Sequence, residues 1–252
     1  MKIVSLKNIE GELRTKSEVG IILPTYCEAA NVESLIHDVE NLNLDVRVLV
    51  IDDSSPDGTA DTVRKLQKKY GNILLFVRRS KLGLGTAITD GFKIFLSLNN
   101  PPSYIVTMDA DYSHNPKDIP LAVSTAKQGR GLAIGSRYCK GGGVVKWSIF
   151  RRLTSRVANT LASILVRAKV HDYTSGLRCY SARLVKSMVP ELHSQTYEIQ
   201  IETIRQARKR GFDVREFPMT FVNRKKGKSK LSANEIKEFT TYVFRIKRHR
   251  AS

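Results

Sequence analysis

The 252 residues are 41% hydrophobic and 26% charged, which suits one α/β domain or one domain with an appendage and excludes a disordered chain. The formal net charge is +18, and from Arg205 to Ser252 there are 15 Lys or Arg against 4 Asp or Glu, so the tail suits an anionic membrane surface, a phosphate-bearing substrate or nucleic acid. Three widely spaced cysteines (Cys27, Cys139 and Cys179) exclude a disulfide framework and a zinc site, and favour a reducing compartment.

The first eighteen residues are mixed and charged and show no signal peptide, so residues 1–18 read as an N-terminal extension. Val19 to Leu23 is a short apolar run ending at Pro24, a buried first strand. Glu28 to Leu42 has helical spacing at Val32, Leu35, Ile36 and Val39. Val46 to Ile51 is a second strand, closed by Asp52-Asp-Ser-Ser-Pro-Asp-Gly58, and Thr59 is placed to cap a helix from Ala60 to Tyr70. Ile73 to Val77 is a third strand, and Gly83-Leu-Gly85 opens a helix to about Leu98. Ile105 to Met108 is a fourth strand ending in Asp109-Ala-Asp111, followed by a helix from Pro116 to about Gln128 and a strand from Leu132 to Gly135.

The alternation of strands and helices predicts a Rossmann-like, mostly parallel sheet with helices on both faces. After Gly135 the pattern changes. Gly141 to Gly143 reads as a mobile loop, and Arg151 to Arg167 as a helix with an apolar face of Leu153, Val157, Leu161 and Leu165. That face belongs either in the core or at a membrane interface. Asp172 to Tyr180 is a polar loop entering a strand, Tyr197 to Arg210 a helix, and Val214 to Val222 a late strand. Arg224 to Lys230 is a basic loop, and Ser232 opens a last helix from Ala233 to about His249. Domain bounds of 19–231 and a basic C-terminal helix at 232–252 follow. No uncharged apolar run approaches the ~20 residues of a spanning helix.

The chemistry concentrates at strand ends. Ligands of open α/β sheets bind at the carboxyl ends of strands. Extended alternation would put Asp109 and Asp111 on one side, a hard oxygen site for Mg²⁺ or Mn²⁺ with phosphate oxygens as further ligands. A solvated turn is the alternative for that pair alone. Pro24-Thr-Tyr-Cys-Glu28 and Asp52-Asp53 add acidic strand ends on the same rim, and these carboxylates argue against nucleic acid as the partner of the basic tail. His114 reads as a turn residue rather than a metal ligand, and His171 and His193 have no evident partner.

Three runs carry a family resemblance: Leu23-Pro-Thr-Tyr-Cys-Glu-Ala-Ala-Asn31, Val50-Ile-Asp-Asp-Ser-Ser-Pro-Asp-Gly-Thr59 and Met108-Asp-Ala-Asp-Tyr-Ser-His-Asn-Pro116. They resemble the inverting family 2 glycosyltransferases, and within them the dolichol-phosphate mannosyltransferases. Gly135-Ser-Arg-Tyr138, Trp147, Arg151, Ser155, Asp172, Thr174-Ser-Gly176, Arg224, Gly227, Ser229 and Lys230 support that branch. The resemblance runs roughly from Val19 to Phe244.

It implies a GT-A fold with added C-terminal helices, and transfer of mannose from GDP-mannose to dolichyl or polyprenyl phosphate. UDP-glucose as donor is the alternative. Pro24, Tyr26, Glu28 and Asp52 are then expected around the nucleoside, with Asp53 close by or in a structural role. Ala110 and Arg137 join Asp109 and Asp111 around the diphosphate. Asp109 and Asp111 are expected to bind the metal, with Ser113 a weaker ligand or one acting through water. Asp109, Asp111, Arg137 and Arg151 are the expected catalytic set, and Arg151, Ser155, Arg224 and Lys230 the acceptor-phosphate set. Thr174 and Ser175 shape either the acceptor pocket or a turn. The implied setting is peripheral, at the cytoplasmic face of a plasma or endoplasmic reticulum membrane, with an anionic surface or a small membrane-anchoring subunit as partner.

Overall fold

The computed structural model describes residues 8–13 and 16–223. Arg224, Lys230, the basic loop between them and the expected last helix lie outside the described residues. Ten strands and seven helices occur among the described residues. In chain order these are β1 (Ile9–Glu10), β2 (Val19–Thr25), α1 (Ala29–Glu40), β3 (Val46–Asp52), α2 (Thr59–Lys69), β4 (Ile73–Val77), α3 (Leu84–Ser97) and β5 (Tyr104–Thr107). There follow α4 (Ile119–Gly129), β6 (Leu132–Ser136), β7 (Gly143–Val145), α5 (Ile149–Val166), β8 (Arg178–Ser181), α6 (Ala182–Met188), α7 (Ile199–Lys209), β9 (Val214–Pro218) and β10 (Thr220–Val222).

Eight strands form one sheet in the order β1-β4-β3-β2-β5-β8-β6-β9, and β10 pairs with β7 in a small second sheet. The β4-β3-β2-β5 block is parallel, as is β6 with β9, while β8 runs antiparallel to both of its neighbours and β1 to β4. Successive side chains of a strand face opposite sides, so the near-continuous apolar strands feed two cores. Ile21, Leu23, Val48 and Val50 pack with α1, α2 and α4, whereas Ile22, Leu49 and Ile51 pack with α3, α6 and α7.

Several elements depart from the sequence reading. The N-terminal segment contributes β1, an edge strand on β4, tied to α2 by Arg64 on Glu10 at 2.7 Å. The glycine run at 141–143 is no free loop: Gly143 N–H donates to Met219 O at 3.0 Å, and β7 pairs with β10. The late strand is two strands, because the chain leaves the large sheet at Pro218 and enters the small one at Thr220. α6 escaped notice because seven residues are too few to display a helical period. Thr59 is not the cap of α2: Gly58, at φ +83°, holds that place, and the Thr59 hydroxyl accepts the Glu28 N–H at 3.0 Å.

The expected apolar face of α5 does not enter the core. Ile149 and Phe150 are 86% and 79% exposed, and Leu153, Val157, Leu161 and Ile164 are exposed with them. The helix is seated instead by Ala162, Val166 and Asn159. The side chain of Leu165 lies outside the described residues.

Candidate active site

The chain builds β2, β3 and β4 in one direction and then returns to place β5 on the other side of β2. Such a reversal leaves a crevice at the carboxyl ends of the two flanking strands. Pro24 to Glu28 span the carboxyl end of β2 here, and Asp109 to Asp111 lie just beyond β5. A cleft opens at this point. One wall is Pro24, Thr25, Tyr26 and Glu28, another is Asp53, Lys81, Gly83 and Leu84, and the floor is Asp109, Ala110 and Asp111, with Tyr197 at the α7 side.

Asp109 and Asp111 do not reach the cleft by strand alternation. β5 stops at Thr107, and Ala110-Asp111 form a turn with Tyr112 at φ +60°. Asp111 is buried and its Oδ1 accepts the Ser113 N–H at 2.9 Å, while the Asp109 side chain is 34% exposed. His114, buried beneath, accepts the Asp109 N–H on Nδ1 at 3.2 Å. It therefore acts on the turn, as the sequence suggested. Gly176 makes the close approach possible, since a Cβ there would stand 3.0 Å from Asp109 Oδ1 and 3.1 Å from His114 Cε1. Ser113 is buried, its hydroxyl has no partner among the described residues, and it is not among the cleft residues.

The two acidic residues at the end of β3 differ from the order anticipated. Asp52 is fully buried and does not line the cleft. Its carboxylate accepts from the Thr25 hydroxyl at 2.9 Å, the Ser55 hydroxyl at 2.6 Å and the Ser55 N–H at 2.8 Å, which ties the ends of β2 and β3 together. Asp53 does line the cleft. Its partner is the buried Arg78, which also donates to Thr86 Oγ1 at 2.6 Å and Gly83 O at 3.0 Å. Burial pushes the Asp53 carboxyl up, and the Arg78 charge opposes it. Gly83-Leu-Gly85 is a helix entry: Gly83 takes φ +95°, Gly85 N–H donates to Gln195 O at 2.9 Å, and a Cβ on Gly85 would stand 2.5 Å from Ser194 O. Arg78 and Lys81, whose Nζ lies 4.5 Å from the Tyr26 ring centroid, were not singled out in the sequence. The Arg78-to-Gly83 spacing after a strand end was the available signal.

A second group of residues stands beside the cleft. Arg137, just after β6, is buried and bidentate on Asp172: Nε to Oδ2 and Nη2 to Oδ1, both 2.7 Å, and its own N–H adds a third bond at 3.0 Å. Burial favours the neutral forms of both, but their mutual attraction and hydrogen bonds prevail, holding the carboxyl low and the guanidinium high. Asp109 also acts on the Arg137 charge, which places the two groups within electrostatic reach. Thr174 and Ser175 N–H groups donate to Asp172 Oδ1 at 3.2 and 3.1 Å, a turn role. Arg151 lies on α5 with Nη1 on Asn223 Oδ1 at 2.8 Å, and the Ser155 hydroxyl accepts from the Tyr138 hydroxyl at 2.7 Å. The Trp147 and Phe221 rings lie against both arginines. His171 pairs with Glu216 at 2.7 Å, and Glu216 in turn accepts the Asp172 N–H.

Among the described residues no group of three His, Cys, Asp or Glu suits a metal ion by itself. Two hard carboxylates facing a cleft do fit a cation of the Mg²⁺ or Mn²⁺ type, which keeps water and substrate phosphates as its other ligands. Among the described residues no helix is long and apolar enough to cross a membrane.

Residues 20–189 match the family model "Glycosyl transferase family 2". Over 228 residues the chain is 36% identical to a polyprenol monophosphomannose synthase of Mycolicibacterium smegmatis, covering 90% of this chain and 85% of that protein. It is 33% identical over 234 residues to a dolichol-phosphate mannosyltransferase of Pyrococcus furiosus, covering 91% of this chain and 63% of that longer protein. The fold resembles a glucosyl-3-phosphoglycerate synthase of Mycobacterium tuberculosis crystallised with Mn²⁺, UDP and glucosyl-3-phosphoglycerate. That match has a TM-score of 0.65 at 18% identity, over 93% of this chain and 80% of the other. The same enzyme crystallised with Mn²⁺, UDP and phosphoglyceric acid matches with a TM-score of 0.66 at 19% identity, over 93% and 78%.

Proposed function

Because the chain belongs to glycosyl transferase family 2 and has the GT-A fold, we propose that this glycosyltransferase moves mannose from GDP-mannose to the phosphate of dolichol or another polyprenol, with inversion. The observation that carries the reading is a cleft lined by Asp109 and Asp111 together with a buried guanidinium group, Arg137, on which the Asp109 charge acts. The names of the relatives in M. smegmatis and P. furiosus support the same substrate class.

In this reading the wall of Pro24, Tyr26, Glu28 and Asp53 holds the nucleoside, and Asp52 keeps the β2 and β3 ends in register. Asp109 and Asp111 would hold a divalent cation, whose charge would neutralise the leaving diphosphate. Arg137, whose charge Asp109 acts on, binds the phosphates, and Arg151 and Ser155 bind the acceptor phosphate. A phosphate monoester is already anionic near neutral pH, its second pKa being about 6. One of its oxygens attacks the anomeric carbon, a new C–O bond forms as the bond to the β-phosphate oxygen breaks, and GDP departs. No strong general base is needed; what the reaction needs is positive charge around two sets of phosphates.

The protein acts peripherally at the cytoplasmic face of a membrane. The exposed apolar side of α5, flanked by exposed Lys146, Arg152 and Arg156, supports contact with an anionic lipid surface. Incubating the protein with Mg²⁺ or Mn²⁺, polyprenyl phosphate and radiolabelled GDP-mannose should give a labelled lipid. Equal labelling from UDP-glucose would overturn the donor assignment, and equal labelling of free polyprenol would overturn the acceptor assignment.

A further inference from the structure

We infer that Trp147 and Phe221 form an aromatic platform that positions Arg137 and Arg151 together for the acceptor phosphate. The inference rests on the reading of those arginines as phosphate-binding groups. The guanidinium carbons of Arg137 and Arg151 stand 5.3 and 4.4 Å from the Trp147 ring centroid, and 5.7 and 5.6 Å from that of Phe221. All four distances fall within the ~6 Å reach of a cation–π interaction. The rings are buried and meet edge to face, their centroids 5.2 Å apart at 72°.

Two like charges held this near repel each other. Carboxylates would offset the repulsion, but they would also occupy the N–H groups a phosphate must meet. Asp172 does so at Nε and Nη2 of Arg137, where the Thr174 hydroxyl also accepts from Nη2 at 2.6 Å. Aromatic faces supply negative potential from above the guanidinium plane and accept none of the in-plane N–H bonds themselves. Trp147 adds a second sign. Its Nε1–H is buried with no partner among the described residues, a polar cost that phenylalanine at the same place would avoid. The site therefore uses the breadth of the indole face.

The local fold is arranged to deliver this pair. The parallel register of β7 and β10 sets Phe221 opposite Val144, and Trp147 follows two residues after β7. Asn223, immediately after β10, then fixes Arg151 from the other side. The small second sheet is thus the part that brings an aromatic from each of two distant segments to the arginines.

Trp147 is the single tryptophan of the chain, so its emission reports on the platform directly. Titrating the full chain with dodecyl phosphate should change that emission saturably, dodecanol should not, and Arg151→Ala should abolish the response. An identical response in wild type and Arg151→Ala would remove the phosphate reading of the arginine, and the platform with it. In steady-state assays Trp147→Leu and Phe221→Leu should each raise the acceptor KM about tenfold, within the range of a desolvated cation–π contact. The donor KM should stay within about twofold, and Trp147→Phe should keep the acceptor KM within about threefold of wild type. A wild-type acceptor KM in Trp147→Leu, with Arg151→Ala impaired, would refute the platform and leave the phosphate reading standing. Equal damage from Trp147→Phe and Trp147→Leu would also refute it, by tracing the effect to shape. If Trp147→Leu does not fold, Phe221→Leu and Trp147→Phe carry the same comparison.

Discussion

Asp172→Ala tests whether the buried Arg137–Asp172 pair anchors the acceptor side. In the folded chain the Arg137 side chain is 6% exposed and the Asp172 side chain fully buried. The carboxylate accepts from the Arg137, Thr174 and Ser175 N–H groups and from two guanidinium nitrogens. Removing it leaves a buried cation without its counter-charge, which costs about 3–5 kcal/mol. In a domain of this size each kcal/mol lowers the melting temperature by roughly 2–4 °C, so a fall of roughly 6–20 °C is expected. Urea denaturation followed by circular dichroism gives the free energy, and a cycle with Arg137→Met isolates the pair. A folded pKa held below the unfolded value stabilises the fold above the unfolded value, about 3.9, and that contribution disappears as pH falls through the folded value. The Asp172 carboxyl is shifted downward. The stability difference between wild type and Asp172→Asn should therefore be flat near neutral pH and shrink only below about pH 4. A cost under about 1 kcal/mol for Asp172→Ala, or a coupling within about 0.5 kcal/mol of zero in the cycle, would refute the reasoning.

Asp109→Ala and Asp111→Ala should each reduce turnover by orders of magnitude while leaving the far-ultraviolet spectrum and melting curve near wild type; full activity in excess chelator would count against a metal at this site. Arg78→Met should raise the donor KM about tenfold and leave the acceptor KM alone, since it frees Asp53 and the Gly83 carbonyl in the donor wall; a charge-assisted bond of about 1.5–3 kcal/mol supports that size. Phe150→Glu should weaken sedimentation with anionic vesicles by tenfold or more, given about 1.5–3 kcal/mol for burying such a side chain, and unchanged sedimentation would remove α5 as the contact.

The legible part of the chain was the part with consecutive, strongly apolar strands. Ile21 to Leu23 and Val48 to Ile51 are buried on both faces, so a run of β-branched and aliphatic residues is all they require. Asp109, Asp111, Tyr26 and Glu28 could be placed because a strand end fixes where its next residues emerge. Asp52 and Asp53 were harder: adjacent residues of one type point to opposite sides, and only the positions of Thr25, Ser55 and Arg78 decide which faces the cleft. The pairing of β8 between β5 and β6 was out of reach, because strand order depends on residues 70 positions apart. The exposed side of α5 reads in sequence like any amphipathic helix. A core-facing and a lipid-facing stripe have the same period, and only the packing of Ala162 and Val166 tells them apart.

The antiparallel strand β8 has a consequence for synthesis of the chain. The β4-β3-β2-β5 block is complete once residue 107 has been made, but the outer edge of β5 pairs only with β8, residues 178–181. At translation rates of roughly 5–20 residues per second, some 70 residues take about 4–14 s. For that time the nascent protein carries an open β5 edge whose outward N–H and C=O groups await their partner. Ile105 and Val106 lie on that edge, fully buried in the finished fold. A ribosome stalled between residues 110 and 175 would hold an aggregation-competent half-sheet, and this window is where a chaperone would have most to do.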